Sequence, residues 1–302
     1  MYEYVSYHIN GDTDCNTKLL RKWADDNKLS LQDRFDLSYF FSTTYCIPSA
    51  ILMLKERDLI KKQVENWVLE NKNIIIFQSD RKYVKMLDNF LNCLKYFNEN
   101  LSDVENFIKS ISINGIINIE KALQKVQKWY FFGRFASYLF LETFISLTDY
   151  KTENTTIDWQ NGDTATSGIM NLFGLDNSAN YFDSHDKIPD NLDYNKLNQM
   201  LEITLKKIRE HGGDDNVTFV ETSLCAYRKL YKGSRYNGYY LDRQLEEIHR
   251  TNKLSEKYRD INNELLMLRK NLFNSRYLGE LNNWKGIRKE CKKMYKEKGI
   301  ML

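Results

Sequence analysis

Proline is almost missing from this 302-residue chain, standing only at Pro48 and Pro189, and glycine occurs thirteen times. A β-sandwich or barrel needs a turn roughly every ten residues, so this scarcity of breakers argues against both. The five cysteines, at positions 15, 46, 93, 225 and 291, are odd in number and widely spaced, with no Cys-x-x-Cys pair. Neither a zinc knuckle nor a disulfide framework is supported, and reduced thiols in a cytoplasm are the expectation. The four histidines (His8, His185, His211, His249) lack the spacing of a metal-binding helix. There is no Walker A sequence, no Gly-x-Gly-x-x-Gly and no Gly-x-Ser-x-Gly. No run approaches the roughly 20 apolar residues of a membrane span, and the N-terminal MYEYVSYHINGD lacks the basic-then-apolar pattern of a signal peptide. The longest apolar region, Trp129 to Leu147, is interrupted by Gly133, Arg134, Ser137 and Glu142.

What is abundant points to an all-α protein. Leu, Lys, Glu, Asn and Ile favour helices joined by polar loops. Helices are expected over Thr17–Asp26, Leu31–Glu56 with a break near Pro48, Leu59–Glu70, Ser102–Ser110, Tyr194–His211 and Phe219–Tyr231. Ser79 and Asp80 read as the cap of a further helix reaching about Asn98, and another leads from Ile119 to Lys128. A final long pair is expected over Leu241–Phe273 and Leu281–Lys298. The run from Asn73 to Phe77 could be a short strand. Residues 150–192 are polar and turn-rich, and the apolar Trp159, Ile169, Met170, Leu172, Phe173 and Leu175 within them favour an ordered loop. The expected organisation is one multi-helix domain over residues 1–250, with a basic helical extension over 251–302 packed on it.

Charge is distributed unevenly. The net charge is +3, yet residues 228–302 hold nineteen basic and nine acidic residues, a net of +10. The rest of the chain therefore carries −7. Such an asymmetry, with twenty tyrosines, suits a surface that meets a polyanion, DNA above all. A plain solvated helical face gives the same count.

Three clusters concentrate chemistry-bearing residues. The first runs from Lys128 to Glu142, where Gly133 before a helix start offers backbone N–H groups to a phosphate and Arg134 adds a guanidinium fork. A core helix with a glycine at a tight crossing is the plain alternative. The second, Asp158 to Ser167, offers Asp163 as a base or polar anchor and Trp159 as a stacking face; a polar turn capping a helix near Ser167 would read alike. The third runs from Glu221 to Lys229 and on to Arg243. Glu221, Cys225 and Lys229 share one helical face, and Arg235, Tyr236, Tyr239, Tyr240, Asp242 and Arg243 follow around a glycine-containing turn. Basic groups interleaved with aromatics suit phosphate contact plus base stacking, although tyrosines closing a core would look similar.

The stretches WYFFGRFASYLFLE (129–142), DWQNGDTATSGIMNLFGLD (158–176) and ETSLCAYRKLYKGSRYNGYYLDRQ (221–244) resemble a phage family, the amino acid:DNA transferases. These are also described as α-glutamyl/putrescinyl thymine pyrophosphorylases. The resemblance spans about residues 30–250. It implies a helical fold similar to the helix-hairpin-helix DNA glycosylases and a role in thymine hypermodification, in the cytoplasm of a phage-infected bacterium. The implied reaction joins the amine of an amino acid or polyamine to a phosphorylated or pyrophosphorylated 5-hydroxymethyl group of uracil in DNA. On that reading Lys128, Gly133, Arg134, Lys229, Arg235 and Arg243 face phosphate or DNA. Asp163, Glu221 and Asp242 are the carboxylates to deprotonate the amine. Trp159, Tyr236, Tyr239 and Tyr240 would stack on a flipped base. The competing readings are a glycosylase-like base-processing enzyme and a non-enzymatic nucleic-acid-binding protein. The sequence leaves open the amine donor, the leaving group, the oligomeric state and whether Mg²⁺ assists.

Overall fold

A computed structural model describes residues 1–153, 157–160, 162–175, 192–231, 235 and 238–273. The described chain is mostly helical, with one small three-stranded sheet. It divides into two compact units. One comprises residues 16–153 and 243–274, and the other residues 1–15, 154–242 and 275–302. The helix expected at 281–298 lies outside the described residues.

The larger unit is built on helices that are buried nearly all round. Helix α1 (Tyr2–Asn10) belongs to the smaller unit; in the larger one, after α2 (Cys15–Asp26), α3 (Leu31–Thr44) begins at a capping box between Ser30 and Asp33 and is buried from Phe35 to Thr44. The hydroxyls of Ser38, Ser42, Thr43 and Thr44 donate to carbonyls four residues back, so these polar groups cost little inside the core. The break near Pro48 falls where expected. Helix α3 ends at Tyr45 in the left-handed region, and Pro48 stands in the first turn of α4 (Ile47–Lys55), where its missing N–H is harmless. Helices α5 (Arg57–Asn71), α6 (Leu87–Asn100), α7 (Val104–Ile111), α8 (Ile119–Val126) and α9 (Arg134–Thr148) follow. Phe35, Tyr39, Phe107, Trp129, Phe132, Phe140 and Phe144 interlock through edge and stacked ring contacts.

Two expectations change here. Ser79–Arg81 forms a 3-10 turn, and α6 starts only at Leu87, because Val84 to Met86 make further turns first. Residues 73–77 form no strand. The sheet lies elsewhere, with β1 (Ser112–Ile113) antiparallel to β2 (Ile116–Asn118) and β2 parallel to β3 (Thr152–Glu153). These strands are two or three residues long, too short for a period-2 pattern to register.

The smaller unit holds α1, α10 (Asp163–Leu172), α11 (Tyr194–Glu210) and α12 (Val217–Tyr231), around a core that includes Tyr4, Trp159, Ile169, Leu201 and Leu224. Residues 163–172 are therefore helical, where a loop was expected. Gly168 explains part of the motif around it. A Cβ there would stand 2.3 Å from the Leu224 carbonyl oxygen, so only glycine lets α10 lie this close to α12. Gly168→Ala should force the two backbones apart and destabilise this unit by about 1–3 kcal/mol, in the manner of an overpacked core. A thermal melt checks this, and an unchanged midpoint would contradict the contact.

The long helix expected at 241–273 is two: α13 (Tyr239–Leu254) and α14 (Arg259–Leu272), parted by a 3-10 turn over Glu256–Tyr258. Ser255 in extended backbone caps that turn by accepting from the Lys257 amide.

Candidate functional site

The second and third sequence clusters meet in the smaller unit. Arg228 on α12, buried, donates from Nε to Ser167 Oγ on α10 at 2.9 Å. Glu221, also buried, lies two helical turns before Arg228 on α12, and Lys229 is half-buried. Asp163 opens α10, and its Oδ1 accepts from the Thr164 amide at 2.7 Å and the Thr164 hydroxyl at 3.2 Å. Trp159 is buried, with Nε1 donating to Asn198 Oδ1 at 2.7 Å. Its ring is part of the core wall, so the exposed stacking face read from sequence is not there. Arg235 lies against Tyr239 and Tyr240, its guanidinium carbon 4.7 and 4.8 Å from the two ring centroids, and Nη1 donates to the Tyr240 hydroxyl. Cation–π contact thus engages both tyrosines. Tyr236 lies outside the described residues.

Two features of this unit carried no sequence signal. Asp12 is buried and accepts at Oδ2 from the amides of Tyr240 (2.6 Å) and Leu241 (3.4 Å), capping α13 from the far end of the sequence. Burial pushes its carboxyl up to about 6 against these amides. Asp242 is buried in the same first turn. Helix α1 contributes a relay: Tyr4 Oη is 2.7 Å from Ser223 Oγ, which is 2.8 Å from His8 Nδ1. His8 Nε2 donates to the Asp214 carbonyl at 2.6 Å, and the Ser223 hydroxyl also donates to the Val220 carbonyl at 3.0 Å.

The first cluster lies in the larger unit, beside elements that sequence reading did not connect with it. Successive turns carry the chain from the exposed Lys128 to Gly133, the N-cap of α9, which has no side-chain cap. Arg134 lies over Tyr138 at 5.1 Å. The exposed Phe135 meets Tyr45 edge-on at 5.5 Å, and Arg243 lies over the same Tyr45 at 6.0 Å. Tyr45 therefore joins the start of α9 to α13. Arg243 Nη2 donates to Gln78 Oε1, and Gln78 Nε2 donates to Glu247 Oε1, so the amide is oriented from both ends. Glu247, one turn after Arg243, is 7% exposed and its Oε2 has no partner. Burial pushes its carboxyl up to about 8; Arg243, the Cys46 thiol, the Ile47 amide and Gln78 oppose this. Burial also pushes the Cys46 thiol up, with Glu247 adding to it, so this cysteine is no ready nucleophile.

Arg81 supports the same region from beneath. It is buried without a carboxylate, donating from Nη1 to the Phe131 carbonyl (3.1 Å) and from Nε to the Thr43 carbonyl near the end of α3 (3.4 Å). It thereby holds Phe131 in the left-handed region (φ 60°) just before Gly133, with the ring 39% exposed. Among the described residues, no three His, Cys, Asp or Glu side chains are grouped to hold a metal. An ion shared between phosphate oxygens and one carboxylate needs no such group.

The chain matches the model of one family, described as amino acid:DNA transferase, over residues 33–236. The chain belongs to that family. The transferase has no match among curated proteins or solved structures. The matched range includes Tyr45, Gln78, Arg81, Gly133, Arg134, Trp159, Asp163, Glu221, Lys229 and Arg235. Tyr239, Tyr240, Asp242, Arg243 and Glu247 of the transferase follow it. No helix among its described residues is long and apolar enough to cross a membrane.

Proposed function

We propose that this chain joins the amine of an amino acid or polyamine to an activated 5-hydroxymethyluracil in phage DNA, displacing phosphate or pyrophosphate, in the cytoplasm of the infected cell. The family match carries the reading. The start of α9 supports it chemically: the Gly133 N-cap has no side-chain partner, and its backbone amides with Lys128, Arg134 and Arg243 are the groups that would meet a leaving oxyanion. Exposed Phe131 and Phe135 beside them offer rings to bases. In the smaller unit, considered by itself, sequence put forward Lys229 and Arg235 for phosphate, Tyr239 and Tyr240 for stacking, and Asp163, Glu221 and Asp242 for the amine.

The test is direct. The protein is incubated with an oligonucleotide carrying pyrophosphorylated or phosphorylated 5-hydroxymethyluracil and a mixture of amino acids and putrescine, and nucleoside masses are read. An adduct with release of phosphate or pyrophosphate is expected. An abasic site would instead indicate base excision, and tight binding with unchanged nucleosides would leave a binding protein.

A further inference from the structure

Amine transfer needs a proton acceptor, and the carboxylates of the described structure are not equivalent. Asp163 is taken up by Thr164, and Glu221 and Asp242 each interact with neighbouring groups. Glu247 differs. One oxygen is fixed by Gln78; the other is buried without a well-formed hydrogen bond, although the Cys46 thiol and the Ile47 amide also favour the carboxylate. Asp12, in the smaller unit, has a buried unpartnered oxygen too, but its second oxygen caps α13. A buried carboxylate oxygen left vacant is destabilising, and the fold has not removed it. Arg243, joined to Glu247 through Gln78, and Tyr45, beneath Arg243, are half-buried, and Phe135 against Tyr45 is exposed.

We propose that Glu247 is the proton acceptor for the incoming amine, with Gln78 holding it in place and Arg243 meeting the departing phosphate. The inference rests on the transferase reading above. In the step, the amine nitrogen's electron pair forms the N–C bond to the exocyclic methylene. The C–O bond to phosphate or pyrophosphate breaks, and its electron pair leaves on oxygen beside Arg243. The ammonium's proton passes to the free Glu247 oxygen and then to solvent. Among the described residues, the groups that charge or titrate against Glu247 are Arg243 from its own helix, which favours the carboxylate, and Cys46 just before α4, whose thiol stays protonated. The raised carboxyl value fits a base working close to neutral pH.

The adduct assay on the full chain tests this with Glu247→Gln, which keeps the size and can still accept from Gln78. We expect kcat to fall about 10²–10⁴-fold, the range for a lost general base, with unmodified-DNA affinity within twofold and the melting temperature at pH 8 unchanged or higher. Wild-type kcat should rise with pH up to about 8, a limb absent from the variant. Gln78→Ala should lower kcat less, without abolishing the limb. If wild type forms adduct and Glu247→Gln keeps kcat within threefold, the assignment fails while the transferase reading stands. A wild-type rate that falls across this range also overturns it. If wild type forms no adduct from either activated base, both readings fall together.

Discussion

Arg243→Ala should lower kcat/KM for adduct formation by about 10²–10³-fold, the usual effect of deleting one donor to a developing oxyanion. Three losses coincide in this variant: the cation over Tyr45, the donor to Gln78 Oε1, and the charge that favours the Glu247 carboxylate. The rising limb of the rate profile should therefore move to higher pH, and the plateau should fall in height. Arg243→Lys separates these contributions. It keeps a positive charge near Glu247 but not the planar fork or its stacking on Tyr45, so an intermediate rate is expected. Arg134→Ala, at the start of α9, should reduce the rate through phosphate contact and leave the limb where it is. Equal, full activity in Arg134→Ala and Arg243→Ala would remove both from the site. DNA affinity measured across a salt series shows whether either arginine acts on the backbone instead, since each lost phosphate contact lowers the slope by about 1.

Much of the helical frame was legible because its signals are local. Pro48 marked a helix start, Gly133 an N-cap, and the apolar spacing at Trp67 and Val68 part of the buried face of α5, although Leu59, read as part of it, is exposed. The family motifs were legible too, and Gly168 shows that some of their residues serve packing. Other features depend on tertiary placement. Trp159 and Tyr239 look alike as aromatic residues beside polar ones, yet one is core and the other holds Arg235. Arg243 and Glu247 are four apart on an amphipathic helix, the pattern of an ordinary exposed ion pair. Only the fold brings Gln78 between them and buries the acid, and only the fold turns Asp12 into the cap of a helix more than two hundred residues away. Each of these sites draws single residues from remote segments, so no window of sequence contains the pattern.

The same burial that fits Glu247 for proton transfer should make it a measurable burden on stability. Its native value stands near 8 against an ordinary 4.5, so between those pH values the native state holds a proton that the unfolded chain has released. The contribution is most favourable below about pH 4.5 and is lost progressively as pH rises through the native value. At about 1.4 kcal/mol per unit, the loss is on the order of 4 kcal/mol by pH 8–9. Glu247→Gln has no such ionisation. Denaturation midpoints at pH 5, 6.5, 8 and 9 should therefore show the variant gaining on wild type as pH rises, with the difference levelling off above about 8. Asp12→Asn should show the same sign over a lower window, ending near 6, because burial raises Asp12 only that far against the amides of α13. Lowered carboxylates such as Asp33 and Asp149 act oppositely, losing stability as pH falls, and they are common to all three proteins, so they cancel in the differences. A pH-independent gap between wild type and Glu247→Gln would mean that the acid is solvated. If removing Glu247 stabilises the protein at high pH while stopping the reaction, the acid is kept for chemistry and not for packing.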